Sequence, residues 1–224
     1  MNIKFGKRNK VIKMRCVIIS GSPETNPDFI KQAVKSDDYV ICADRGYEFA
    51  KLAGIEPNLI VGDFDSYKEK ISANCEIVKL NPQKDDTDTI HSIDLAFEKG
   101  FTEFILLGAL GGRTDHTFAN LSALYYIAEK GGRGILLSEN ERVEFLEKGE
   151  YCFGGYCGKT FSLFPFGCES VCVSYKGAQY PLNRYSLKSS VPLGISNVFI
   201  SEKSEIKIYD GNAILIINLK EEYI

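Results

Sequence analysis

The spacing of apolar residues changes once along this chain, near Asn140, and no other feature narrows the fold as much. From Arg15 to Leu137, short apolar runs alternate with stretches of helical period. The runs Cys16–Ser20, Tyr39–Ala43, Leu59–Gly62, Glu76–Leu80, Phe104–Leu107 and Gly134–Leu137 have the length and branched content of strands. Between them Ile90, Ile93 and Phe97, and then Leu121, Leu124 and Ile127, recur at the spacing of one helical face. This βαβ rhythm predicts a mostly parallel sheet covered by helices, a Rossmann-like α/β domain. From Val143 the helical period is gone, and glycine, aromatic and β-branched residues gather in the runs Thr160–Phe164, Val171–Tyr175, Val198–Ser201, Ile206–Tyr209 and Ala213–Asn218. Short strands with turn signals such as Asp210-Gly211-Asn212 predict an antiparallel, all-β sandwich or barrel. The expected organisation is a loosely held basic extension over residues 1–13, an α/β domain over 14–140 and a β-sandwich over 141–224, the boundary falling in Ser138–Arg142.

Composition removes several functions. With 27 basic and 30 acidic residues the chain carries a formal charge of −3, which argues against binding a nucleic-acid backbone and for a small substrate. No apolar run approaches the roughly 18 residues of a membrane span. Lys4, Lys7, Arg8, Lys10, Lys13 and Arg15 lie in an acid-free start that lacks the apolar centre of a signal peptide and the serines of a transit peptide. Seven cysteines in such a chain read as reduced thiols, and the cytoplasm is the expected home. Cys152, Cys157, Cys168 and Cys172 are close enough in sequence to weigh as a zinc site, but they lack a CxxC knuckle, and Cys168 and Cys172 read as small core residues of an alternating strand.

Open α/β sheets bind ligands outside the carboxyl ends of their strands, and here the residues that follow the strands are unusually acidic. The second strand ends in Ala43-Asp44-Arg45-Gly46, the third in Gly62-Asp63-Phe64-Asp65-Ser66, and the fourth is followed by Lys84-Asp85-Asp86-Thr87-Asp88 at a helix start. In an extended Asp63-Phe64-Asp65 both carboxylates turn to one side, a geometry for a divalent cation. Hard oxygen ligands suit Mg²⁺, which keeps waters and is completed by substrate phosphates. Asp85 and Asp88 share one face of a first helical turn, where helix capping explains one aspartate but not three. So many acids at one sheet edge repel each other without a cation. After the fifth strand, Gly108-Ala109-Leu110-Gly111-Gly112-Arg113-Thr114-Asp115-His116 offers free backbone N–H groups at a helix start and an arginine fork for phosphate. Gly21-Ser22-Pro23 after the first strand is a similar but weaker turn. The two histidines, His91 and His116, read as polar surface or helix-start residues rather than metal ligands.

These four acidic and glycine-rich motifs, in this order, resemble the successive motifs of the thiamin pyrophosphokinase family. Ser162-Leu163-Phe164-Pro165-Phe166, Tyr180-Pro181-Leu182 and Gly194-Ile195-Ser196-Asn197 continue the resemblance, which spans nearly the whole chain from Met14. The sequence departs from the family at Arg45, where glycine is usual, and in having no tryptophan, so that Tyr180 or another aromatic would stand against the thiamin ring. The resemblance implies transfer of pyrophosphate from ATP to the hydroxyl of thiamin, Mg²⁺ as cofactor, a β-sandwich that holds thiamin, and a homodimer with thiamin between subunits. It assigns Asp63, Asp65 and Asp88 to Mg²⁺ and the catalytic phosphates with Asp85 in support, and Asp44, Lys84, Gly111, Gly112 and Arg113 to the nucleotide. Asp115, Ser196 and Asn197 would hydrogen-bond the aminopyrimidine of thiamin. A Mg²⁺-dependent DxD glycosyltransferase and a non-catalytic nucleotide- or thiamin-binding regulator are the alternatives.

Overall fold

A computed structural model of the chain describes residues 15–63, 75–80 and 87–220, in two compact units that meet at Ser138 and Glu139. The first unit holds six strands, β1 (Cys16–Ile19), β2 (Tyr39–Ala43), β3 (Leu59–Gly62), β4 (Glu76–Lys79), β5 (Glu103–Leu107) and β6 (Arg133–Leu137). Its helices are α1 (Pro27–Ala33), α2 (Gly46–Leu52), α3 (Asp88–Glu98) and α4 (Thr114–Glu129). The strand order is β6-β5-β1-β2-β3-β4, and every neighbouring pair is parallel. Parallel strands covered on both faces are apolar throughout, which is why β1 and β3 are buried at every residue and read as unbroken runs rather than alternating ones. β4 ends the sheet, and its Glu76 and Lys79 keep that edge polar. The two short helices α1 and α2, seven residues each, carry too little periodic signal to stand out in the sequence.

From β1 the chain steps outward through β2 and β3 to β4, then returns to place β5 on the other side of β1. Loops leaving β1 and its two neighbours diverge there, and the divergence opens a crevice at their carboxyl ends. Close backbone approach fixes the floor of that crevice. A Cβ on Gly46, the first residue of α2, would lie 1.8 Å from the carbonyl oxygen of Ile19, with backbone on both sides of the clash. Gly46→Ala should therefore cost about 2–3 kcal/mol through overpacking and lower the melting temperature by roughly 5–10 °C. A calorimetric melting point within a degree or two of wild type would contradict this approach of α2 to β1.

The second unit contains β7 (Glu141–Leu146), β8 (Gly149–Phe153), β9 (Thr160–Pro165), β10 (Ser170–Lys176), β11 (Leu182–Lys188), β12 (Asn197–Val198), β13 (Ser204–Asp210) and β14 (Ala213–Asn218). They form two antiparallel arrays, β12-β9-β14-β7 and β11-β10-β13-β8. Leu163, Val171, Val173, Ile206, Ile208, Leu215 and Ile217 alternate inward to one core, where Phe161 stacks on Phe199 at 4.2 Å. Three expectations change here. The turn Asp210-Gly211-Asn212 joins strands of different sheets, because β13 pairs with β8 and β10 while β14 pairs with β7 and β9. The run Val198–Ser201 is strand only at its start: Phe199 turns into the core and Ile200 out to solvent. Cys168 precedes β10 instead of lying in it, and its thiol exchanges hydrogen bonds with the Asn212 backbone. The seven cysteines are free thiols, and among the described residues no cluster of His, Cys, Asp or Glu is arranged to hold a metal.

Candidate functional site

Five strands of the first unit deliver their carboxyl ends to one cavity of about 580 Å³, within the range of small-molecule sites. Ser20–Pro23 follow β1, Ala43 ends β2 and Asp44 and Arg45 follow it, Asp63 follows β3, Leu80 follows β4, and Gly108, Ala109, Gly111 and Arg113 follow β5. Residues of α3 and α4 complete the wall. The β1–β5 pairing runs on into the loops, where Ser20 N–H donates to Leu107 O at 2.8 Å and Ser22 N–H to Gly108 O at 2.9 Å. Gly108 permits this, since its φ is +63° and a Cβ would lie 2.4 Å from Ser20 O.

Asp44, Asp63 and Asp88 all line this cavity. Asp44 sits in the left-handed region at φ +45°, a conformation that aspartate tolerates better than most residues, and its N–H is tied to Val61 O at 2.8 Å. The departure at Arg45 is accommodated locally, because Gly21 leaves room where a side chain would meet the Arg45 Cβ at 2.7 Å. Asp88 opens α3, but Thr87 is the cap, accepting Ile90 N–H at 3.3 Å. Capping therefore does not use Asp88, and its carboxylate is left to the cavity. Burial pushes the Asp44 carboxyl above the usual range, opposed by a hydrogen bond from the Arg45 backbone and reinforced by the charge of Asp63. Burial also raises Asp88, with the charges of Asp44 and Asp63 adding to the rise and His91 opposing it.

Among the described residues Asp44, Asp63 and Asp88 do not close around an ion by themselves, but their hard oxygen chemistry suits a divalent cation completed by other ligands. Mg²⁺ is commonly held by one or two carboxylates plus waters and phosphates, so a closed protein cage is not required. Raised folded-state values mean that the charged acids destabilise the cation-free protein at neutral pH, and that the penalty shrinks as pH falls from the raised values toward the ordinary carboxylate range. Asp88→Asn should then raise the melting temperature of the protein without Mg²⁺ at pH 7, and the advantage should narrow toward pH 4. An Asp88→Asn protein that melts below wild type at pH 7 would contradict this account of the cluster.

The glycine turn is occupied differently from expectation. Gly112 N–H is not free but donates to Glu24 Oε1 at 3.0 Å, and the same carboxyl lies where a Gly111 side chain would stand. The loop that follows β1 carries an acid able to take an anion's place. Arg113 lines the cavity and is held by Asp115 at 2.6 and 3.1 Å; this exposed pair keeps the Asp115 carboxyl below the usual range. Asn120 donates to Ala109 O at 2.8 Å and braces the loop from α4.

In the second unit, Ser196 is exposed at φ +55°, its N–H donating to Ser162 Oγ at 3.0 Å. Asn197 is buried, and its amide is engaged by protein: Oδ1 accepts from Tyr180 N–H at 3.0 Å and Val198 N–H at 2.9 Å, while Nδ2 donates to Tyr180 O at 2.8 Å. In this structure Asn197 positions exposed Tyr180. Asp65, Lys84 and Asp85 lie outside the described residues. Ser20, Thr89 and Asn120, which no motif singles out, also line the cavity, as do His91 and His116, read from the sequence as polar surface or helix-start residues. His91 is separated from Asp88 by three positions, one turn of a helix, and that spacing was a signal for it.

Residues 30–136 match the family model described as thiamin pyrophosphokinase, catalytic domain, and residues 145–212 match thiamin pyrophosphokinase, vitamin B1 binding domain. The thiamine pyrophosphokinase of Bacillus subtilis (strain 168) is 27% identical over 205 residues, covering 89% of this chain and 96% of that protein. A crystal structure of thiamine pyrophosphokinase from Bacillus subtilis matches with a TM-score of 0.82 at 26% identity, covering 92% of this chain and 99% of that one. The thiamin pyrophosphokinase of Geobacillus thermodenitrificans matches with a TM-score of 0.83 at 26% identity, covering 94% of this chain and all of that one.

Proposed function

The chain belongs to the thiamin pyrophosphokinase family, and from that premise we propose that its cavity serves ATP-dependent pyrophosphoryl transfer to thiamin. The hydroxyl oxygen of thiamin attacks the β-phosphorus of ATP, the bond from that phosphorus to the α–β bridging oxygen breaks, and AMP leaves as the hydroxyl proton is lost. The products are thiamin diphosphate and AMP. The observation that carries the reading is the meeting of Asp44, Asp63 and Asp88 with a glycine-rich, arginine-bearing loop at five strand ends. A glycosyltransferase or a silent binding protein would need a different family assignment, and neither reading is favoured.

Phosphoryl-type transfer asks the protein mainly for positioning and charge neutralisation. Asp63, Asp65 and Asp88 would hold Mg²⁺, with Asp85 in support, and the ion supplies neutralisation of the charge on the phosphates. Arg113 donates to phosphate oxygens, which requires it to share or release Asp115. Gly111 and Gly112 let the triphosphate approach the backbone once Glu24 gives way. Asp44 and Lys84 border the nucleotide. We read the first unit as a Rossmann-like catalytic domain, because its parallel order reverses at β1 and its ligand crevice lies at that reversal.

For the second unit we propose thiamin binding through Ser196 and Tyr180, with Asp115 and Asn197 contributing to the aminopyrimidine contacts or their placement. Tyr180, Val191, Leu193, Ile195 and Ile200 are 51–61% exposed within one short segment, which supports a covered surface there and a homodimer as the assembly that covers it. No described helix is long and apolar enough to cross a membrane, and the free thiols support a cytoplasmic home. The test of the reaction is incubation with ATP, Mg²⁺ and thiamin, followed by mass spectrometry. Stoichiometric AMP and thiamin diphosphate are expected; ATP turned over without thiamin diphosphate would overturn the reading.

A further inference from the structure

Two polar atoms in the wall of this cavity, Nε2 of His91 and Oγ of Ser22, are buried and have no hydrogen-bond partner among the described residues. An unsatisfied buried polar atom costs about 1–3 kcal/mol, so such atoms are rare unless something else satisfies them. They belong to different elements, α3 and the loop after β1, yet both residues line the same cavity. Their neighbours are otherwise satisfied: Ser20 Oγ is 3.3 Å from Thr89 Oγ1, and Thr87 caps the helix. His91 lies one turn beyond Asp88 on α3, so a ligand held at Asp88 is within reach of the imidazole.

We propose that His91 is a nucleotide-binding residue of this enzyme, donating from Nε2 to a phosphate oxygen of the triphosphate, with Ser22 Oγ as a second donor from the opposite loop. This rests on the reading of the cavity as the ATP site. Nε2 bears hydrogen in the imidazolium and in one neutral tautomer, so the contact does not require a charged ring. A phosphate oxygen is the occupant that the surroundings favour. Arg113 and Gly111 of the glycine-rich turn also line the cavity, with Arg113 paired to Asp115, and the aspartates repel an anion unless it arrives with a cation, as Mg·ATP does.

The experiment compares His91→Phe, which fills the space without a donor, with His91→Gln, which restores an N–H at similar reach and lacks any ring charge. Binding of Mg²⁺ with a non-hydrolysable ATP analogue is measured by titration calorimetry, alongside the KM values for ATP and thiamin and the ligand-free melting temperature. His91→Phe should weaken analogue binding and raise the KM for ATP about tenfold, with the KM for thiamin changed less than about twofold. His91→Gln should recover most of the loss. The ligand-free His91→Phe protein should melt at or above wild type, because an unsatisfied atom has been removed; a structural role predicts a lower melting point. Unchanged analogue affinity in His91→Phe, or a rise confined to the KM for thiamin, overturns the proposal. Calorimetry keeps the two readings apart: a wild-type protein that binds the analogue but makes no thiamin diphosphate defeats the reaction and leaves His91 testable.

Discussion

Asp63→Asn should lower the turnover of thiamin diphosphate by at least about 10²-fold, the scale of losing one preorganised electrostatic contact. The substitution keeps shape and removes one charge from the group that Asp44, Asp63 and Asp88 form around the cavity. The fold should survive, because Asp63 follows β3 rather than belonging to it, and the strand is held by its buried apolar residues. Asp65→Asn should behave in the same way, since the DxD pair is read as acting on one cation. The measurement is kcat at saturating ATP, Mg²⁺ and thiamin, with circular dichroism to verify the fold. Turnover within a few-fold of wild type in either variant would remove that carboxylate from the metal assignment.

The second large effect is a recovery. If thiamin lies between subunits, an active site combines the aspartate cluster of one chain with Ser196 and Asn197 of its partner. Asp63→Ala and a Ser196→Ala, Asn197→Ala double variant should each be inactive alone. Co-expressed, they form mixed dimers in which one site collects both defects and the other collects neither. Random pairing makes about half the dimers mixed, each with one intact site of two, so about a quarter of wild-type activity should return under two-fold symmetry. Differential tags confirm that mixed dimers form. No recovery in confirmed mixed dimers would show that each site is built within one chain. Asn197 calls for a control, because its side chain holds the backbone of Tyr180, so Ser196→Ala alone should be paired with Asp63→Ala in parallel.

Much of this was written locally in the chain. The parallel strands announced themselves as unbroken apolar runs because both of their faces are covered, and α3 and α4 were long enough for their periodic residues to be read. The acids at strand ends were legible for a related reason: residues that follow a parallel strand fall at the ligand edge of the sheet whatever the strand order. Tertiary structure alone decided the rest. Strand order sends β13 and β14 to different sheets across a turn that looks like a hairpin, since pairing depends on distant partners rather than on the turn itself. It brings Glu24 to the Gly112 N–H from 88 residues away, binds Asn197 to Tyr180, and leaves Nε2 of His91 and Oγ of Ser22 unsatisfied beside one cavity. Periodicity reports which face a residue occupies; whether a polar atom on that face has a partner depends on groups far away in sequence, and only the assembled fold supplies or withholds them.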